Sequence, residues 1–149
     1  MVAYQYKFAK VLTVREQEKS ETEIAYKESV NAFEQVATEL YNLLKKREST
    51  LDTQNDLLSN GLSIDGIHHY SNFLESLQKR IEVVQKEVIQ ARSKMNWYEE
   101  KLLEKSLEVR KFEKMKEKDF ESFQQEQYRL EAIVLDEISS LKFQNKEIR

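Results

Sequence analysis

Turn-forming residues are almost absent from this chain. In 149 residues there is no proline, and the two glycines, Gly61 and Gly66, stand five positions apart. Sandwiches, barrels and βαβ folds all need many turns, each with its own breaker chemistry. A chain whose breakers sit in one short stretch has room for one reversal and little else. Ser59-Asn60-Gly61-Leu62-Ser63-Ile64-Asp65-Gly66 is that stretch. Gly61 can take the left-handed conformation that ends a helix. Ser63 or Asp65 can accept a backbone N–H in the first turn of the next one.

The hydrophobic spacing on both sides is helical. Tyr26, Val30, Phe33, Ala37, Leu40, Leu44, Arg47, Leu51, Gln54 and Leu58 follow one another in alternating steps of four and three. After the break, Ile67, Tyr70, Leu74, Leu77, Ile81, Val84, Val88, Ala91, Met95, Tyr98, Leu102, Lys105, Val109 and Phe112 do the same. A mean step of 3.5 residues keeps such a row on one side only when two helices coil around each other. Lys105 fits because its methylene stem can lie along a seam. Charged residues make up 34% and hydrophobic ones 40% of the chain, enough for a narrow seam rather than a thick core.

These features predict an all-α fold, a long antiparallel two-helix coiled-coil hairpin in one domain spanning 1–149. Helix one is expected over about 5–59, the turn over about 60–66 and helix two over about 64–146. Residue n should then face roughly residue 125 − n, which sets Phe8 opposite about Glu117. The arms are unequal, roughly 80 Å against 125 Å at 1.5 Å per residue. Helix two therefore overhangs from about residue 120, carrying Phe120, Phe123, Leu130, Ile133, Val134, Leu135, Ile138 and Leu141 with no partner in the chain.

Several function classes lose their footing. With 24 basic against 27 acidic residues the net charge is −3, unsuited to phosphate-backbone binding, so no nucleic acid is expected as a partner. There is no cysteine, which removes disulfides and thiol chemistry. No apolar run of membrane-spanning length and no leader-like start are present, so a cytoplasmic chain without membrane insertion is expected. His68 and His69, the two histidines, are neighbours that point about 100° apart on a helix and cannot share one metal. Carboxylates such as Glu99-Glu100 and Asp136-Glu137 lie on helices without a predicted pocket. No catalytic residue, cofactor, metal site or small-molecule substrate is expected.

Surface features remain. Phe73 lies beside the seam, and Leu43 on the other helix lies beside it at a similar height, an apolar flank that reads as a docking surface. Trp97 points away from the seam. Arg110, Lys111, Lys114, Lys116 and Lys118 form a basic stretch that can meet an acidic surface.

Three patterns give the chain a family likeness. Phe8-x-x-x-Leu12-x-x-Arg15-x-x-Glu18 opens it, Asn60-Gly61 precedes Tyr70-x-x-Phe73-Leu74-x-x-Leu77-x-x-x-Ile81, and Arg129-Leu130-Glu131-x-x-x-Leu135-Asp136-Glu137 stands near its end. In size and layout the chain resembles the flagellar FliJ protein family. That resemblance implies a non-enzymatic part of the flagellar type III export apparatus. It further implies a stalk whose paired terminal end enters the hexameric FliI ATPase, and which contacts the FlhA export gate and export chaperones at the cytoplasmic side of the membrane. Carried over by position, the ATPase-binding residues are Phe8, Leu12, Arg15, Arg129, Leu130, Leu135, Asp136 and Glu137. The gate-binding residues are Leu43, Phe73 and Leu77. Enterobacterial members carry aromatic residues where this chain has Lys46 and Thr50. The competing reading is a coiled-coil scaffold that homodimerises through its overhang.

Overall fold

The computed structural model describes residues 2–148. It consists of two long helices, α1 (Ala9–Ser59) and α2 (Ile64–Ile148), packed antiparallel, and no strand occurs among the described residues. The reversal is built as its residues require. Gly61 has φ +87°, the conformation a side chain would strain. The Asn60 amide still donates to the Asp56 carbonyl at 3.2 Å, closing the end of α1. Ser63 is the cap of α2: its Oγ accepts from the Gly66 amide at 3.1 Å. Asp65 follows in the first turn, where a negative charge suits the helix dipole. Gly66 makes room for the turn, since a Cβ there would come within 2.6 Å of the Leu62 side chain.

Two compact units divide the chain, and each pairs a stretch of α1 with a stretch of α2. One comprises Ser20–Leu103. Its core lies on the α2 seam, where Leu77 is buried and Ile81 and Val84 have no exposure at all. Along α1, Val30, Phe33, Ala37, Leu40 and Leu44 are half-buried. Nearer the turn the α1 seam departs from the expected row. Thr50 and Leu57 are half-buried, whereas Leu51 and Leu58 are exposed. Polar pairs flank the seam. Arg47 donates to Gln78 Oε1 at 2.8 Å, as the 125 − n register requires, and Arg80 pairs with Glu39.

The other unit comprises Met1–Lys19 and Glu104–Arg149. Here the structure corrects the expected start of α1. Residues 2–6 are not helical; they form an extended strap that runs through a turn at 7–8 into Ala9. Tyr4, Tyr6 and Phe8 alternate along it, the two-residue period of an extended segment. Tyr6 is buried with Leu12 and Val109, and Tyr4, Phe8 and Phe112 pack on that cluster. The Tyr6 hydroxyl donates to the Phe112 carbonyl at 3.0 Å. The Tyr4 hydroxyl donates to Asp119 Oδ2 at 2.9 Å, with its ring 5.0 Å from Phe120 and 5.2 Å from Phe123. Phe8 meets Phe112 at 6.3 Å rather than facing Glu117, continuing a drift from the 125 − n register already present within α1, where Arg15 lies by Glu108 and Leu12 clusters with Val109. Phe120 and Phe123, expected to be bare, are thus partnered by the strap.

Candidate functional site

Beyond Phe123 the character of α2 changes. From Tyr128 through Glu147 every residue is exposed, although the sequence remains apolar. Leu130, Ile133, Val134, Ile138 and Leu141 are between 43% and 61% exposed. At 100° per residue, Leu130, Val134, Ile138 and Leu141 share a face with Phe123. Tyr128, Leu135 and Phe143 fall on the opposite side, and Ile133 lies at the edge of the first. The tip is therefore apolar on several sides at once. No part of the described chain covers it.

The tip carries charge between its apolar residues, with Arg129, Glu131, Asp136, Glu137, Lys142, Lys146 and Glu147 all exposed. Arg129 Nε donates to Glu126 Oε2 at 3.1 Å within the helix. This pairing holds the Glu126 carboxyl below its ordinary range and raises Arg129. Asp136 and Glu137 are exposed between Ile133 and Leu141.

The eight residues proposed to meet an ATPase separate into two groups. Arg129, Leu130, Leu135, Asp136 and Glu137 lie on the exposed tip. Phe8, Leu12 and Arg15 do not join them there; they belong to the packed base beneath it. Leu12 is only 8% exposed, so it holds the base together and cannot present its side chain to a partner. Arg15 bonds Glu18 at 3.2 Å and lies 3.7 Å from Glu108 across the helices. Glu18 also accepts from Lys105 Nζ at 3.2 Å. Lys105, with Arg15 second, pulls the Glu18 carboxyl below its ordinary range. The Lys105 that interrupts the apolar row thus bridges the helices as an ion-pair partner.

The gate-facing set also divides. Phe73 is 37% exposed and Leu43 half-buried, so both reach the surface. Leu77 does not: at 7% exposure it is core, because the seam row takes its side chain inward. Lys46 Nζ sits 5.4 Å from the Phe73 ring centroid, so a cation on α1 covers part of the aromatic face. Trp97 is 54% exposed, with Lys101 Nζ 5.4 Å from its ring.

Sequence reasoning missed Tyr4, Tyr6 and Asp119. The signal was available in Tyr4-x-Tyr6-x-Phe8, whose period of two does not belong to a helix. Among the described residues no three His, Cys, Asp or Glu side chains converge as a metal site. No described helix is long and apolar enough to cross a membrane.

Fold and site together define an all-α protein, a packed two-helix hairpin with an exposed apolar helix tip. Comparison with known proteins is specific. The family model described as Flagellar FliJ protein matches residues 4–147. The Flagellar FliJ protein of Bacillus subtilis strain 168 is 39% identical over 142 residues, covering 95% of this chain and 97% of that one. The chain belongs to the flagellar FliJ protein family, whose members are components of flagellar export. Among solved structures, a YscO homolog of Chlamydia trachomatis, CT670, shares the fold with a TM-score of 0.66 at 19% identity, over 99% of both chains.

Proposed function

We propose that this chain is the non-catalytic central stalk of the flagellar type III export ATPase, with its α2 tip inserted into the hexameric FliI-type ring. The observation that carries this reading is the distribution of apolar residues around the tip. A helix that is apolar along one stripe suits a single flat partner; one that is apolar on several sides is stable only when surrounded. Leu130, Val134, Ile138 and Leu141 on one side and Leu135 and Phe143 on the opposite one match a pore better than a second helix. Below the tip, the Arg15–Glu18–Lys105 bridge and the strap resist splaying of the two helices, which a coupling rod requires.

The same reading assigns Leu43 and Phe73 to contact with an FlhA-type export gate, and leaves chaperone exchange to the exposed surface of the hairpin. It also puts the chain in the cytoplasm, beside a membrane-embedded gate that it need not enter. Adding the full chain to its cognate FliI-type ATPase should promote hexamers and raise ATP hydrolysis. Leu130→Asp or Leu135→Asp should abolish both effects while helicity by circular dichroism is retained. An unchanged ATPase rate and assembly state, well above micromolar protein, would count against the stalk. A stable dimer lost on truncation after Lys118 would favour the scaffold instead.

A further inference from the structure

The two apolar rows do not close at the turn. Leu58 ends the α1 row and Ile67 begins that of α2, yet both are exposed. Leu51, one heptad before Leu58, is exposed as well, and Ile64, three residues before Ile67, is 73% exposed. All four belong to the unit Ser20–Leu103. Four large aliphatic side chains thus flank one reversal of the chain, and no described residue covers them. Charge is as uneven here as apolarity. No lysine or arginine occurs between Arg47 and Lys79, although the whole chain holds 24. The same stretch carries Glu48, Asp52, Asp56, Asp65 and Glu75. Glu75 pairs with Lys79 at 3.7 Å. The other four are exposed and form no ion pair among the described residues. Glu48, Asp52 and Asp56 stand four apart, so each meets a like charge one turn along α1. Like charges at that spacing weaken a helix left alone, and cations laid along the row relieve them.

We propose that the turn end of the hairpin docks a basic amphipathic helix of a partner protein. Its apolar stripe would cover Leu51, Leu58, Ile64 and Ile67, and its lysines or arginines would meet Asp52, Asp56 and Asp65. The choice of occupant follows from the charge. An apolar patch beside an uncompensated acidic row is complemented by a helix that is apolar on one face and cationic at its edges. An anionic bilayer or a nucleic acid would be repelled by the same acids. A second copy of this chain, approaching with its own turn end, would set acid against acid. The surface includes neither Leu43 nor Phe73, the positions assigned to gate contact, and it is not the tip. The proposal therefore does not rest on the stalk reading.

The test uses the full chain and a labelled peptide with leucine at helical spacing and lysine elsewhere, followed by fluorescence anisotropy. Binding should saturate, and it should weaken as salt is added. The same peptide with glutamate in place of lysine should bind about tenfold more weakly or worse. Asp52→Asn, Asp56→Asn and Asp65→Asn together should weaken binding of the lysine peptide about tenfold. Leu58→Ser with Ile64→Ser should do the same, about tenfold, with helicity by circular dichroism retained. Glu99→Gln, Glu100→Gln and Glu121→Gln together should leave binding unchanged, and so should Leu135→Asp on the tip. In amide spectra of the unaltered chain, Leu58, Ile64 and Ile67 should shift on titration. The proposal is overturned by absence of saturable binding, by equal affinity for the lysine and glutamate peptides, or by unchanged binding in either turn-end variant. It is equally overturned by loss of binding in Leu135→Asp, or by light scattering that shows a dimer of the free chain dissolved by Leu58→Ser with Ile64→Ser.

Discussion

Ile81 and Leu135 lie on one helix, yet the first has no exposure and the second is 63% exposed. The middle of α2 spends its apolar residues on α1; the tip has no α1 beside it. Between them, Phe112, Phe120 and Phe123 form a third case, met by the rings of Phe8 and Tyr4, although Phe120 stays 40% exposed. The contrast shows that an apolar row along a helix states only that something must cover it. What covers it depends on how far the other arm reaches.

The contrast predicts opposite consequences for similar substitutions. Ile81→Ala should destabilise the hairpin by about 2–5 kcal/mol, because it leaves a cavity in a fully buried seam. Leu135→Asp should change stability by no more than about 0.5 kcal/mol, since the side chain already meets water. Thermal and urea unfolding followed by circular dichroism compare the two. A large loss of stability from Leu135→Asp would mean the tip is covered within the free protein.

The strap should fall between these extremes. Tyr6→Ala removes a buried ring and the bond to the Phe112 carbonyl, and should lower the unfolding temperature by less than Ile81→Ala. It should also speed hydrogen exchange over 112–123. If exchange there is unchanged, the strap does not protect the base.

The strap should also respond to alkali. Burial first, and the bond to Asp119 second, push the Tyr4 hydroxyl up from 10.0 to about 12. A raised folded-state value means the protonated hydroxyl stabilises the fold. That contribution is complete below pH 10 and is lost as pH climbs towards about 12. Burial also raises the Tyr6 hydroxyl, so tyrosinate absorbance should show late titration by both, and the Tyr4 share should disappear in Tyr4→Phe. Glu18 behaves in the opposite sense: its lowered carboxyl contributes above the ordinary carboxylate range and loses that contribution as acid protonates it. Glu18→Gln should flatten the acid limb of the stability profile.

Phe73→Ala should have the smallest effect on folding, about 1 kcal/mol or less, because the ring is 37% exposed and partly shielded by Lys46. Its effect should appear in binding to an FlhA-type protein. A folding loss comparable with that of Ile81→Ala would return Phe73 to the core.

Most of the hairpin was legible in the sequence because its determinants are local and periodic. The Asn60-Gly61 stop, the Ser63 cap and the row from Tyr70 to Phe112 each follow from spacing and backbone chemistry. The α1 row near the turn was less so, since Leu51 and Leu58 keep the period but not the burial. The strap escaped notice for a different reason. Tyr4, Tyr6 and Phe8 contact residues more than a hundred positions away, and no helix-period reading reaches that far. Leu12 and Leu77 show a further limit. A motif marks a position without saying whether its side chain faces a partner or the core, and here both face inward.

The central claim is that the α2 tip is bare in the free chain and enclosed in an ATPase ring. Hydrogen exchange over residues 128–143, with and without the FliI-type hexamer, tests it directly. Fast exchange in the free chain and strong protection throughout this segment in the complex are predicted. Protection already present in the free chain, or fast exchange persisting in the complex, would contradict it.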